Sequence, residues 1–231
     1  MQLHTHEWGD GDRTAVLIHG IMSDHRTWHR VGPALAARGY RVIGVDLRGH
    51  GRSPRGDYGA ELFADDLVDT LPVGADVVLG HSLGGLALSL AVERLRPRRA
   101  VYCDPAWSLA GVGQAVDPAV FVTFKNADAS RVRAFNPRWD DVDVAVELAT
   151  IADWDTGTAL ALSGGHLQDR TPERPLVPSL VQIAGEGFLF TREAGKELAR
   201  RGFEVRTVRG AGHTIHRDDF DGFLAGLEGW I

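Results

Sequence analysis

Short apolar runs rich in valine, isoleucine and leucine recur along this chain of 231 residues, each followed by turn residues and then by a stretch with helical spacing. That alternation confines the chain to an α/β architecture. Strand candidates fall at residues 2–8, 15–19, 41–46, 76–80, 99–104, 180–184 and 203–208. Most are apolar continuously rather than at every second position, as strands covered on both faces of a parallel sheet must be. Helices are predicted between them at 25–38, 59–70, 82–95 and 191–201, with a last one at 218–230. Gly39, Pro72, Pro97 and Gly202 end four of these, since proline cannot continue a helix and glycine accepts the conformation that closes one. The opening run through Trp8 and the Gly9-Asp10-Gly11-Asp12 turn predicts an antiparallel hairpin at the sheet edge.

One interval breaks the rhythm. Between Asp104 and Leu180 the chain is far longer than a crossover requires, which predicts a helical cap inserted at about 107–175 after the strand ending near Asp104. Residues 141–151 read as a capped amphipathic helix there. The interval either packs a small core of its own or forms a lid over a pocket. Trp28, Trp107, Phe121, Trp139, Trp154 and His166 are candidates to line that pocket, with core packing as the alternative for most of them.

With 44% hydrophobic and 24% charged residues, residues 1–231 form one domain with a substantial core. Net charge is −6 and the basic residues are scattered, which argues against a nucleic-acid partner. No apolar stretch reaches membrane-spanning length, and Met1 to Trp8 has neither a basic leader nor an apolar core, so a cytoplasmic protein is expected. The single cysteine, Cys103, suits a reducing compartment and a packing role. Ten histidines occur without metal-ligand spacing, and no metal or other cofactor is expected.

Chemistry is concentrated at Gly80-His81-Ser82-Leu83-Gly84, between the apolar run ending at Leu79 and the small-residue stretch from Gly85. A Gly-x-Ser-x-Gly at a strand-to-helix junction is the pattern of a nucleophile elbow, in which a sharp turn lifts the serine above the sheet edge. Glycines at 80 and 84 spare the turn from collision with neighbouring backbone. Serine is a poor nucleophile until a base takes its proton. His213, on the Gly-rich loop Gly210-Ala211-Gly212 after the last strand, is the best placed base, at the carboxyl end of the sheet where Ser82 also lies. His216 competes, although a position at the start of the following helix makes it a surface histidine by default. The developing oxyanion needs two donors. The backbone N–H groups of Leu83, directly after the serine, and Ile21, after Gly20 in the first strand's loop, are the candidates. His19, His50 and His81 read as loop and packing residues.

Taken together, His19-Gly20, Asp46-Leu47-Arg48-Gly49-His50-Gly51-Arg52-Ser53, the elbow with Gly85, and Gly210-Ala211-Gly212-His213 resemble, in order and over nearly the whole chain, the α/β-hydrolase fold superfamily. The likeness is weakest at 107–178, which matches the family's variable cap. It implies a serine nucleophile, a histidine base and a covalent acyl-enzyme. In most relatives the acid lies three residues after a strand-end glycine; counting from Gly185, that position is Phe188. Two carboxylates remain: Glu186 in the same turn, and Asp104 at the end of the preceding strand. Asp104 is preferred, because an apolar strand delivers it to the catalytic edge; a local turn-forming role, or loss of the acid altogether, are the competing accounts.

The reaction expected is hydrolysis of a carboxylic ester or related small acyl compound through an acyl-enzyme on Ser82, without a cofactor. A carbon–carbon bond hydrolase, lactonase or lyase would use the same residues. A ligand receptor that kept the fold with weak turnover is the alternative from another class.

Overall fold

The computed structural model describes residues 1–109, 116–164 and 168–231; His166 lies outside them. Seven strands form one sheet: β1 (Thr5–Trp8), β2 (Arg13–Ile18), β3 (Tyr40–Val45), β4 (Val77–His81), β5 (Ala100–Cys103), β6 (Ser179–Ala184) and β7 (Glu204–Val208). Their spatial order is β1-β3-β2-β4-β5-β6-β7. All neighbours are parallel except β1 and β3.

Continuous apolarity in the strands has the expected cause. Along β2, Val16 and Ile18 enter one core while Ala15 and Leu17 enter the other, as the two-residue period of a strand demands. Val78 against Val77 and Leu79 in β4, and Val181 against Leu180 in β6, divide in the same way. The first core is closed by α2 (Ala60–Thr70), α3 (Leu83–Leu95) and α7 (Arg192–Arg200), through residues such as Phe63, Leu86 and Leu198. The second is closed by α1 (Val31–Ala36) and α9 (Phe220–Ala225), through Val31, Leu35 and Phe223.

Three expectations are corrected. The opening strand does not form a hairpin with its successor. Both flanks of β2 are taken by β3 and β4, so β1 crosses over and pairs antiparallel with β3, Trp8 opposite Val42 and Thr5 opposite Val45. Trp8 then packs on Gly32 and Gly44, where an added Cβ would lie 2.5 and 2.8 Å from the indole. The helix predicted at 25–38 is divided into a 3-10 turn, His25–Trp28, and α1. An unbroken helix would place Pro33 in its interior, whereas in α1 it stands in the first turn, where no N–H is needed. The last helix, predicted at 218–230, is replaced by α8 (Ile215–Asp218), which starts earlier, and the shorter α9; between them Asp219 leaves helical geometry and its carboxylate accepts from Gly222 N at 2.9 Å.

Between β5 and β6 lie a 3-10 helix, Pro118–Phe124, and α4 (Ala129–Phe135), α5 (Asp141–Ala152) and α6 (Gly157–Leu160). Phe124, Val132, Trp139 and Trp154 of this interval form a third apolar cluster with Met22 from the loop after β2. Among the described residues, no helix is long and apolar enough to cross a membrane.

Candidate active site

Ser82 sits between β4 and α3 with φ 51° and ψ −116°, a region costly for any residue with a side chain. Close packing imposes it. A Cβ at Gly80 would come within 2.4 Å of Gly84 O, and one at Gly84 within 2.4 Å of Ile18 O. The turn is held by Ser82 N–H donating to Cys103 O at 3.0 Å, and by Ser82 O accepting from Leu86 N and Ala106 N at 3.1 and 3.0 Å.

Ser82, His213 and Asp104 come together although they lie far apart in sequence. Ser82 Oγ is 3.0 Å from His213 Nε2, and His213 Nδ1 is 2.7 Å from Asp104 Oδ2. Since the carboxylate can only accept, Nδ1–H donates to it and Nε2 is left to accept from the serine hydroxyl. Asp104 is fully buried, at φ 40° just past the end of β5. Its Oδ1 accepts from Ala184 N at 3.2 Å, and its own N–H donates to Gln182 O at 2.8 Å, so β6 fixes it from the side. Gly187 leaves room: a Cβ there would lie 3.2 Å from Asp104 Oδ2 and 2.7 Å from Ala184 Cβ.

Glu186 stands apart. Its carboxylate is more than half exposed and pairs with Arg138. Phe188, at the position where relatives usually carry the acid, lays its ring 4.9 Å from the His213 ring. An apolar ring thus covers the imidazole on this side.

The other histidines are tied into the frame. His19 Nδ1–H donates to Gly20 O at 2.7 Å and Nε2 accepts from Leu47 N at 2.9 Å. His81 Nε2 is 2.9 Å from His213 O, which it supports as a donor. His50 Nδ1 lies 3.0 Å from Arg48 O. Burial pushes the pKa of all three imidazoles down. His216 does occupy α8, but it is 1% exposed rather than on the surface. It stacks on Trp28 at 4.1 Å and bonds Thr27 Oγ1 at 3.0 Å, and burial drives its pKa well below the ordinary value. Packing partners 189 residues away could not be read from its local sequence.

Leu83 opens α3, so its N–H has no intrahelical carbonyl to meet. Ile21 lines the cavity beside Ser82, and a Cβ at Gly20 would be 3.1 Å from Ser82 Cβ, which brings this loop hard against the elbow. From Ser82 and His213 the cavity extends in two arms that share Ile21, Phe121 and Phe188. One arm is apolar, walled by Leu83, Leu86, Leu162 and Leu189. The other ends among Ser23, Thr27, Glu147 and Arg217, with Trp139 at its side. Of the aromatic candidates, Phe121 and Trp139 line this space, while Trp28, Trp107 and Trp154 are buried in the three cores.

Phe188, Ser23, Glu147 and Arg217 are pocket residues that sequence reasoning missed. A signal was present for two of them. Arg217 follows His213 by one helical turn, and Asp143 and Glu147 share one face of α5, opposite which a cation could be sought.

Elsewhere, His4, His25 and Asp46 bring ligand-type atoms within 4.8 Å of one another. Each Asp46 oxygen already accepts two donors there: Oδ1 from His25 N and Nδ1, Oδ2 from Arg52 N and His4 Nδ1. Burial works against its charge, yet the His25 hydrogen bond and the other contacts hold the carboxyl well below the usual carboxylate range. That is the environment of a structural carboxylate.

Residues 15–225 match the model of the alpha/beta hydrolase family. N-formylmaleamate deformylase of Pseudomonas putida is 28% identical over 96% of this chain and 90% of its own. The crystal structure of the N-formylmaleamic acid deformylase of Pseudomonas putida S16 superposes with a TM-score of 0.79 at 26% identity, over 97% of this chain and 95% of that one. The enol-lactonase of Burkholderia xenovorans gives 0.78 at 26% identity, over 99% and 95%.

Proposed function

Because the chain belongs to the alpha/beta hydrolase family, we propose that it is a serine hydrolase cleaving a carboxylic ester or a related small acyl compound through an acyl-enzyme on Ser82. The observation that carries this reading is the unbroken hydrogen-bonded path from Ser82 Oγ through the imidazole of His213 to the buried carboxylate of Asp104.

As Ser82 Oγ attacks the carbonyl carbon, His213 Nε2 takes the hydroxyl proton and becomes an imidazolium. Asp104 stays ionised and stabilises that cation while fixing the ring's orientation. The carbonyl electrons move onto oxygen, and the N–H groups of Ile21 and Leu83 donate hydrogen bonds to the resulting oxyanion. When the tetrahedral species collapses, His213 returns its proton to the departing oxygen or nitrogen. Water repeats the cycle on the acyl-serine, giving up one proton to His213 and leaving the acid, and Ser82 is restored. No metal or other cofactor enters these steps. The helices between β5 and β6 act in this reading as a lid over the site, supported by Phe121, Trp139 and Glu147 lying in both that interval and the cavity wall. A cytoplasmic site of action is supported by Cys103 being the single cysteine, which leaves no internal disulfide to form.

Amide or lactone substrates fit the same acyl transfer, and the names of the two relatives, a deformylase and an enol-lactonase, support keeping them beside esters. A fluorophosphonate probe tests the core of the reading. Labelling is expected in the wild-type protein and absent in Ser82→Ala; a folded wild-type protein that takes no label overturns the enzyme reading.

A further inference from the structure

The polar arm of the cavity contains buried groups that acyl transfer does not use. Arg217, Asp143 and Glu147 are 3%, 1% and 7% exposed. Arg217 Nε donates to Asp143 Oδ1 at 2.9 Å, Nη2 to Asp143 O at 2.6 Å and Nη1 to Glu147 Oε2 at 2.7 Å. Its guanidinium lies 4.0 Å over the Trp139 ring, which holds the plane. A guanidinium has five N–H groups, so two remain, one on each terminal nitrogen. Glu147 Oε1 accepts from no described side chain or backbone group. Ser23 Oγ is buried and has no hydrogen-bond partner among the described residues. Glu147, Arg217 and Ser23 all line the arm that begins at Ser82.

The charge balance says what fits here. One cation already faces two carboxyl groups, so an anionic ligand would meet the Glu147 oxygen as well as the remaining N–H groups of Arg217. An aliphatic group would leave Ser23 Oγ and Glu147 Oε1 without partners in a dry site, which is unfavourable. A group that donates to Glu147 and accepts from both Arg217 and Ser23 satisfies all three.

We propose that Glu147, Arg217 and Ser23 form a specificity subsite for a neutral group that both donates and accepts hydrogen bonds, a carboxamide or a hydroxyl, carried on the substrate away from the scissile carbonyl. The subsite rests on the serine hydrolase reading for the position of that carbonyl, at Ser82. It selects against a carboxylate at the same place, chiefly through Glu147.

Two series of matched short-chain esters test this, with the variable end group on the acyl side in one and on the alcohol side in the other. The end groups are carboxamide, carboxylate and isopropyl. In at least one series the carboxamide ester is expected to exceed the carboxylate ester in kcat/KM by about tenfold or more, the size of a hydrogen bond to a charged group. Glu147→Gln, which keeps the shape and removes the charge, is expected to bring that ratio to within about threefold of unity. A carboxylate ester handled as well as the carboxamide in both series, or a ratio unmoved in Glu147→Gln, overturns the subsite. Ser23→Ala provides a second variant: the carboxamide preference over isopropyl falls several-fold, and an unchanged preference counts against the subsite whether or not Glu147→Gln folds. Fluorophosphonate labelling separates the two readings, since labelled protein with flat ratios sinks the subsite alone. Calorimetric binding of the carboxamide and carboxylate esters to Ser82→Ala reads the same discrimination without turnover.

Discussion

The two ends of the Ser82–His213–Asp104 path are built differently. Around Ser82 the glycine spacing is set by close local contacts: Gly80 and Gly84 touch each other, and Gly84 touches the end of β2. Around Asp104, three strand ends must meet, with Ala184 N reaching it from 80 residues away and His213 from 109. A local steric requirement leaves a spaced glycine pattern in the sequence. A carboxylate fixed by tertiary contacts leaves none, and it can sit at either of two adjacent strand ends provided that the imidazole reaches it. Phe188 lies in the turn after β6 and sets its ring 4.9 Å from that of His213.

Breaking the distal end should have the largest effect. If Asp104 orients His213 as proposed, Asp104→Asn leaves the fold in place and lowers kcat by about 10⁴-fold, because the amide favours the wrong imidazole tautomer. Steady-state kinetics with any turned-over aryl ester measures it; a loss under about tenfold would show that Asp104 serves the turn rather than the base.

At the serine end, the corresponding damage is to stability. Gly84→Ala places a Cβ 2.4 Å from Ile18 O and 2.6 Å from His19 O, both backbone atoms that cannot swing aside. A destabilisation of about 3 kcal/mol follows, lowering Tm by roughly 6–12 °C for a chain of this size. An unchanged melting curve would mean that the junction of β2 and α3 relaxes freely and that the glycine spacing is not a steric requirement.

This contrast also explains what the sequence disclosed. All seven strands fall at the predicted runs, and the central ones are largely apolar because a doubly covered parallel strand must be, whereas β1 and β7 at the edges are partly polar and exposed. The partner of β1 was misjudged because the Gly9–Asp12 turn looks the same whether the chain turns back on β2 or passes to β3. His216 was misjudged because its burial is decided by Trp28 and Thr27, at the far end of the chain. Arg217 and Glu147 went unnoticed for a related reason: each is an ordinary surface residue type until α5 and α8 are brought face to face.

Moving the acid sharpens the comparison. Phe188→Asp in the Asp104→Asn background places a carboxylate in the turn whose Phe188 ring now lies 4.9 Å from that of His213. Recovery of about 10- to 100-fold in kcat is expected, short of wild type because the frame holding Asp104 from Ala184 N is not reproduced at 188. No recovery would show that the β6 loop can no longer deliver an acid to His213.

A gentler perturbation is pH. His19, His50, His81 and His216 are buried, and burial lowers the pKa of each. The unfolded chain binds protons at these sites where the fold does not, so stability is full above the ordinary histidine value of about 6.5 and declines as pH falls below it. The slope is about 1.4 kcal/mol per pH unit for each imidazole kept neutral. Glu147 and Asp218 act in the opposite sense, since burial raises both and the fold takes up protons there above the ordinary carboxylate range, offsetting part of the loss. Urea unfolding at a series of pH values should show the decline, and His216→Phe should make it shallower; an equal slope in the variant would mean that His216 charges within the fold.

The smallest effect belongs to Glu186, and it is informative for that reason. Its carboxylate lies in the turn that carries the acid in most relatives, yet it points outward to Arg138, and exposed pairs of this kind contribute at most about 1 kcal/mol. Glu186→Gln should therefore change kcat/KM by less than about twofold and Tm by no more than roughly 2–4 °C. Run beside Asp104→Asn on the same ester, it separates proximity in sequence from contact in space. A fall of orders of magnitude in Glu186→Gln alone would reverse the assignment, because only a carboxylate that reaches Nδ1 of His213 can hold the imidazole in the tautomer that accepts from Ser82.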